Sequence, residues 1–418
     1  MMWLSRGLSR RWWSSSEAGA QSGSGGFDRD VLKRLLLALM GLVLAACAGP
    51  TVESLRSPVP EPLAGRSAVP GYSQIRFWGD NGEGLSPAMV NEVIAQQKAA
   101  GLPPNERNFL ALSGGGSNGA FGAGLLTGWT EAGTRPEFTI VTGISTGSLT
   151  APFAYLGPPY DKLLTEAYTQ ISGRDVFRRK PVLSLPGASA AADNTPLRQL
   201  VARYVTDRMV ADIAVQNGRG RKLLIGTTNL DAGRPVVWDI GAIAASGEPD
   251  RKQLIQDILV ASSSVPGLFQ PVKIKVVADG KTFDEMHVDG GTTNQAFLFP
   301  SSFSVKAKDA KHGRSGIART LYVVRNGRVT PEYAMVKPRL ASIVGRAVST
   351  LITSQGVGDL YRLYANAMRD GIAFRAIWVP DSFTMQEPEP FDPAFMQALY
   401  KTGFEMGRSG IPWAAQPP

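Results

Sequence analysis

Ser145 lies in the middle of the stretch G-I-S-T-G, residues 143–147, which follows the mostly apolar residues 138–141. A strand that enters G-x-S-x-G and continues into a helix turns so sharply that the serine hydroxyl stands above the end of a sheet. Glycines two residues before and after the serine permit the close backbone contact of this turn. The pattern therefore predicts that Ser145 is a nucleophile, supported by Gly143 and Gly147, although a short motif alone is weak in a chain with 46 glycines.

A second glycine-rich stretch, S-G-G-G-S-N-G at residues 113–119, follows a short apolar strand pattern at residues 108–112. Backbone N–H groups that converge at a helix N-terminus bind a nucleotide phosphate, a dinucleotide pyrophosphate or an oxyanion. The Gly-Lys-Ser/Thr triplet of a phosphate-binding loop does not follow these glycines. A dinucleotide site would need an acidic residue after the next strand, where the serine turn stands instead. We therefore favour an oxyanion hole formed by the amides of Gly114, Gly115 and Gly116, with Gly119 supporting the loop.

The helix predicted after this loop runs from residue 120 to about residue 132 and is rich in small residues. Gly124 and Gly128 lack side chains, so we expect them to let this helix lie close to a sheet.

Asp289 is the best candidate for the base that activates the serine, because it ends a strand pattern at Gly290 and Gly291. His287 and Asp289 are two residues apart in one strand, so their side chains point to the same face rather than in line, as a Ser-His-Asp triad requires. We predict a Ser145–Asp289 dyad and interpret His287 as a strand residue near the mouth of the site. His312, in the charged stretch 306–314, is predicted to lie in a solvated loop.

A carboxylate with a pKa near 4 is a weak base at neutral pH. The dyad therefore needs a partly dry site that raises the proton affinity of Asp289, and this requirement predicts an apolar acyl groove beside Ser145. Candidate lining residues, each of which would otherwise fill the core, are Phe121, Leu125, Leu126, Leu149, Phe153, Leu268 and Phe269.

The order G-G-G-x-x-G, G-x-S-x-G, D-G-G on alternating strands and helices resembles the patatin-like phospholipase family. The T-T-N-L-D stretch at residues 227–231 and A-S-S-S-V-P-G-L-F-Q-P at 261–271 are also similar to that family, so the resemblance covers about residues 108–300. It implies a serine hydrolase that cleaves acyl esters of lipids, phospholipids among them, without a cofactor. Asn118 stands where the family usually has arginine or lysine, and this departure bears on head-group preference.

Two other functions remain open from the sequence. An acyltransferase would pass the acyl group of the same acyl-Ser145 intermediate to an alcohol instead of water. A lipid-binding envelope lipoprotein would keep the fold without turnover. The sequence has neither clusters with metal-ligand spacing nor a basic run with interleaved aromatic residues, so we expect no metal and no nucleic-acid partner.

The amino terminus predicts attachment to a membrane. Residues 35–46 form an apolar run after Lys33 and Arg34 that is too short to span a bilayer and suits a signal peptide. The run ends in L-A-A-C, which resembles the lipobox of bacterial lipoproteins. Cys47, the one cysteine of the chain, is then the lipidation site, the alternative being a buried structural cysteine. We expect a lipid-anchored protein of the bacterial cell envelope, at the outer membrane or the periplasmic face.

Residues 1–30 either precede a true translation start near Val31 or form a disordered extension. The chain carries a net charge of +9, and residues 1–46 contribute six basic and three acidic groups, so the remainder is near +6. This excess of positive charge suits anionic lipid head groups.

We predict a three-layer α/β/α fold with a mainly parallel central sheet. Its divisions are a leader at 1–46, a proline-rich tether at 47–72, a helical segment at 73–107, a patatin-like catalytic domain at 108–302 and a C-terminal extension of the same core at 303–418. Within the extension, the helical pattern of residues 340–370 predicts two parts around Gly356 and Gly358. Residues 157–195 are interpreted as a mobile flap or as an ordinary surface insertion.

Overall fold

Five neighbouring strands of the central sheet are parallel in this computed structural model, which describes residues 56–180 and 189–418. In chain order the described strands are β1 (Arg76–Trp78), β2 (Glu106–Leu112), β3 (Ile140–Gly143), β4 (Arg178–Arg179), β5 (Ala192–Asp193), β6 (Lys222–Asn229), β7 (Arg234–Asp239), β8 (Val272–Ala278), β9 (Lys281–Asp289), β10 (Ala318–Arg325) and β11 (Ala373–Trp378).

The parallel strands follow the order β6-β3-β2-β10-β11, and antiparallel strands extend the sheet beyond β6. One edge of β6 pairs with β7, and β7 with β1. The other edge of β6 pairs first with β3 and then, where β3 has ended, with β9 of the β8–β9 hairpin. Strands β3 and β9 therefore approach each other from opposite directions along the same edge of β6.

The described helices are α1 (Glu61–Ala64), α2 (Pro87–Ala99), α3 (Gly119–Glu131), α4 (Thr146–Leu156), α5 (Asp161–Thr169), α6 (Gly173–Val176), α7 (Thr195–Tyr204), α8 (Asp207–Gly218), α9 (Ile240–Ala245), α10 (Arg251–Ser262), α11 (Val305–Lys311), α12 (Leu340–Asp370) and α13 (Pro393–Ser409). Helix α2 begins at a capped turn, because the Ser86 side chain accepts a hydrogen bond from the Met89 N–H and Pro87 occupies the first turn.

Helices cover both faces of the sheet. Alternate residues of β2 point to opposite faces, so Leu110 and Leu112 pack with α3 and α13, while Phe109 and Ala111 pack with α12. The predicted three-layer α/β/α fold with a mainly parallel sheet is confirmed.

Gly124 and Gly128 of α3 were predicted to contact the sheet, and this prediction is wrong. A Cβ atom at Gly124 or Gly128 would lie about 2 Å from the carbonyl oxygens of Tyr400 and Phe404, so these glycines face helix α13 rather than the sheet. Gly403 and Gly407 of α13 approach α3 equally closely. Glycines four residues apart on both helices bring the two backbones into contact.

Helix α12 is continuous, so the prediction of two helical parts is also wrong. Gly356 does not break the helix. Instead it makes room for Arg325, since a Cβ atom there would lie 2.4 Å from the Arg325 guanidinium carbon.

The segment predicted as a free tether is docked from Arg56 onward. Arg56 forms ion pairs with Asp231 and Asp284, and Ala68 pairs with Val277 of β8. Tyr72 is buried in the core. The proline-rich composition concealed these contacts, because prolines also suit irregular chain that lies on a sheet edge. Residues 47–55 lie outside the described residues.

Candidate active site

Ser145, at the junction of β3 and α4, adopts a backbone conformation that residues other than glycine rarely adopt, with φ +54° and ψ −127°. Such strain persists only where the surrounding structure imposes it. Gly143 and Gly147 make the turn possible: a Cβ at Gly143 would lie 2.4 Å from the Gly147 oxygen, and one at Gly147 would lie 2.4 Å from the Leu112 oxygen. Gly119 is equally constrained, since its Cβ would meet the Thr146 hydroxyl at 2.0 Å.

Asp289 reaches the serine because β3 and β9 end beside the same residues of β6. Gly143 pairs with Ile225, and Asp289 pairs with Thr227 two residues further along. Gly290 then passes so close to β6 that a Cβ atom there would lie 2.5 Å from the Gly226 oxygen. The structure thus brings together Ser145 and Asp289, which are far apart in the chain.

Asp289 has the environment of a carboxyl group with raised proton affinity. Its side chain is 4% exposed, and its Oδ1 accepts a hydrogen bond from the Gly291 N–H at 2.7 Å. Burial raises the pKa of Asp289 to about 7, against the smaller opposing effects of the Ser145 hydroxyl and the Gly291 N–H. Within the described residues Oδ2 makes no hydrogen bond of standard geometry, which leaves this oxygen free to take a proton.

The Ser262 side chain hydrogen-bonds to the backbone of the serine turn, a contact that the sequence did not predict. Its hydroxyl accepts a hydrogen bond from the Ser145 N–H at 3.1 Å and donates one to the Gly226 carbonyl at 2.7 Å. Ser262 is the last residue of α10 and is fully buried. The A-S-S-S stretch was the available signal, but a run of serines does not say which hydroxyl faces the turn.

The glycine-rich loop offers fewer free amides than predicted. The Gly114 N–H donates to the Gln295 carbonyl at 3.0 Å, so Gly114 is not available to an oxyanion. The N–H groups of Gly115 and Gly116 have no hydrogen-bond acceptor in the part of the chain that the structure describes. Gly116 borders the same cavity as Ser145.

Asn326, directly after β10, fixes this loop. Its side-chain amide donates to the Ser113 carbonyl at 2.9 Å and its side-chain oxygen accepts from the Gly122 N–H at 3.1 Å. A Cβ atom at Gly115 would lie 2.0 Å from the Asn326 carbonyl oxygen. The C-terminal region therefore positions the loop, although it is more than 200 residues away in sequence.

An apolar cavity opens beside Ser145, and its empty space together with the solvent at its open mouth is about 1020 Å³. Four of the predicted lining residues border it: Leu149, Phe153, Leu268 and Phe269. The other three, Phe121, Leu125 and Leu126, do not border it, because they are fully buried on α3 in the core.

The segment predicted as a flap or an insertion forms part of the cavity wall. Helix α5 contributes Ala167 and Tyr168, and Ile171 and Val176 follow. Residues 181–188 of this segment lie outside the described residues.

His287 does not lie at the mouth of the site. It is completely buried, where its Nδ1 is 2.9 Å from the Thr227 hydroxyl and its Nε2 is 3.0 Å from Glu285. Burial lowers the pKa of His287, although Glu285 acts in the opposite direction. His287 thus ties β9 to β6 below Asp289. His312 lies in the turn directly after helix α11, whereas most of the stretch predicted as a loop before it is helical.

The described residues contain no group of three or more histidine, cysteine, aspartate or glutamate side chains arranged to hold a metal ion. Among the described helices, none combines the length and apolar character needed to cross a bilayer. The apolar run of residues 35–46 and Cys47 lie outside the described residues.

The three-layer fold and the strained serine turn define the class of this protein: an α/β protein with a serine on a sharp strand-to-helix turn. The family model of patatin-like phospholipases matches residues 110–299, so this part of the chain is similar to that family. The crystal structure of VipD from Legionella pneumophila is similar at 12% sequence identity and a TM-score of 0.32. That similarity covers 73% of this chain and 66%, just under two thirds, of VipD. A comparison with curated proteins finds no match.

Proposed function

We propose that this protein hydrolyses acyl esters of lipids with a Ser145–Asp289 dyad. Oδ2 of Asp289 takes the Ser145 proton as the serine Oγ attacks the ester carbonyl, and the N–H groups of Gly115 and Gly116 bind the resulting oxyanion. Asp289 then gives the proton to the leaving alcohol, which leaves an acyl-serine. A water molecule, deprotonated by Asp289, releases the fatty acid and restores the enzyme.

One observation carries this proposal: a buried carboxyl group with a free oxygen beside a strained serine. A carboxylate of ordinary pKa would hold a proton too weakly to activate an alcohol. The raised pKa of Asp289, about 7, matches proton transfer at neutral pH. The apolar cavity next to Ser145 supports an acyl chain as the group that is bound there.

Attachment to a membrane is part of the proposal. Lipidation at Cys47 would leave eight residues, 48–55, before Arg56 docks on Asp231 and Asp284. A fully extended chain of that length reaches at most about 28 Å. An anchored enzyme of this design would stay close to the lipid surface of a bacterial envelope.

A fluorophosphonate probe tests the nucleophile. We expect labelling of the wild-type protein and of a surface control, Val215→Ala, but no labelling of Ser145→Ala. Hydrolysis of p-nitrophenyl esters of increasing chain length, and of phospholipids with different head groups, then defines the substrate. A folded wild-type protein that neither reacts with the probe nor cleaves any ester would contradict the proposal and favour a lipid-binding protein.

A further inference from the structure

The first half of helix α12 extends beyond the edge of the sheet at which Ser145 lies. Parallel strands β10 and β11 both end at this edge, and α12 connects them. Gly356 of α12 contacts Arg325, the last residue of β10. The 16 helical residues before Gly356 therefore project past the strands by about 24 Å, at 1.5 Å per residue.

The helix passes the active site where this projection begins. The side-chain amide of Gln295 donates to the Gln355 side-chain oxygen at 3.1 Å and to the Gly291 carbonyl at 2.9 Å. The backbone carbonyl of Gln295 accepts the Gly114 N–H. Gln295 thus joins α12 to the glycine-rich loop and to the turn after Asp289, so the projecting half-helix and the catalytic groups share one side of the molecule.

An apolar stripe runs along the projecting half of α12 and faces solvent. Leu340, Val344, Val348 and Leu351 follow the three- and four-residue spacing of one helix face. All four are exposed, Leu340 at 79% and Leu351 at 68%. The polar residues Ser342, Arg346, Ser349 and Thr353 occupy the other side of the helix. A helix that buries so little of its apolar face needs a covering surface to be stable.

The charge of residues 333–358 indicates which kind of surface would cover the apolar stripe of α12. From Tyr333 to Gly358 the sequence contains no aspartate or glutamate, but it contains Lys337, Arg339 and Arg346. Tyr333 and Met335, just before the helix, are 92% and 88% exposed. Exposed apolar and aromatic residues together with cations and no acidic groups complement an anionic lipid surface. This helix is not among candidates for a membrane span in the described chain.

We propose that Leu340–Leu351 lies in the interface of an anionic membrane and turns the mouth of the site toward the lipid. The inference rests on the proposed lipid hydrolase function, but the contact with lipid does not require catalysis. Docking by this helix places the apolar cavity next to its substrate, because the helix and Ser145 lie at the same edge of the sheet.

An environment-sensitive fluorophore tests the contact directly. In the full chain with Cys47→Ser, Val348→Cys is labelled with a nitrobenzoxadiazole probe, and Val215→Cys is the matched control. Val215 is 64% exposed on α8, near the end of that helix that leads into β6. This position lies at the amino-terminal ends of the parallel strands, opposite to the ends at which Ser145 lies. With vesicles of phosphatidylcholine containing some phosphatidylglycerol, we expect a blue shift and a severalfold gain in emission at position 348 but not at 215. High salt is expected to weaken the signal.

The same measurement in Ser145→Ala separates the two proposals. A blue shift in Ser145→Ala, together with no ester hydrolysis by the protein that retains Ser145, would support membrane docking by this helix and contradict the proposed hydrolase function. Absence of a shift at position 348 in vesicle-bound protein would overturn the docking proposal. A shift without vesicles that grows with protein concentration would also overturn it, since a second copy would then cover the helix.

A double substitution gives the functional counterpart. Val344→Asp with Leu351→Asp is expected to lower hydrolysis of anionic vesicles at least tenfold and to leave cleavage of a soluble p-nitrophenyl ester unchanged. Equal vesicle activity in this variant and the parent would count against the inference.

Discussion

The hydroxyl of Ser262 accepts a hydrogen bond from the backbone N–H of Ser145 at 3.1 Å and donates one to the carbonyl of Gly226 at 2.7 Å. One side chain thereby connects the end of α10, the strained serine turn and the strand that also pairs with Asp289. Because both members of the proposed dyad are placed relative to β6, Ser262 sets the distance between them as well as the shape of the turn.

Substitution of Ser262 by alanine should therefore slow catalysis without emptying the cavity. The Ser145 N–H would lose its acceptor inside the protein, at a cost of about 1–3 kcal/mol. We expect kcat to fall roughly 10- to 100-fold with little change in KM, measured with a soluble ester. Ser264→Ala is the matched control, since Ser264 follows α10 and its hydroxyl bonds only to the Val260 carbonyl of that helix. An equal loss in both variants would mean that the effect is general destabilisation.

The pH dependence of kcat/KM reports the state of Asp289 in the free enzyme. A general base must be ionised, so activity should be low below the pKa of about 7 and rise toward a plateau above it. Below the midpoint, kcat/KM should fall about tenfold per pH unit. Stopped-time assays with a neutral soluble ester give this profile. A midpoint near pH 4 would show that the site is wetter than its burial indicates.

Asp289 should also make stability depend on pH. Its pKa is higher in the folded protein than in the unfolded chain, so its favourable contribution is complete below about pH 4 and is lost as pH rises through about 7. The loss amounts to at most about 4 kcal/mol, the shift multiplied by 1.36 kcal/mol per unit. Asp289→Asn removes this loss. Relative to the wild type, it should gain stability to urea between pH 5 and pH 8, and an identical pH dependence of both proteins would contradict the assignment.

The order of strands and helices around Ser145 and Asp289 was predictable because it depends on local patterns. Apolar runs, the serine turn and the Asp-Gly-Gly turn each lie within a few neighbouring residues. Asn326, Gln295 and Ser262 were not predictable as parts of the site. Each acts through a contact between segments 36 to 213 residues apart, and a single polar residue at the end of a strand or helix carries no periodic signal.

In residues 303–418, too, the sequence predicted the local elements but not which elements they contact in the fold. Strand β10 lies next to β2, so the region interpreted as an extension supplies part of the parallel sheet itself. Local composition identifies β10 as a buried strand, but it does not state the neighbour. The environment of Gly124 was missed for the same reason: its partner, α13, lies almost 300 residues further along the chain.

The contact between α3 and α13 gives a stability test with a built-in control. Alanine at Gly124 would place a methyl group 2.0 Å from the Tyr400 oxygen, and alanine at Gly403 would place one 2.2 Å from the Phe121 oxygen. The helices would have to separate, so we expect each substitution to cost about 2–3 kcal/mol or more in urea unfolding. Gly345→Ala, also within a helix but with open space around it, should be neutral or up to about 1 kcal/mol stabilising. Because α3 begins directly after the oxyanion loop, Gly124→Ala should also lower esterase activity at temperatures where the protein remains folded. Full activity and unchanged stability in Gly124→Ala would mean that α13 does not press on α3 as closely as these distances require.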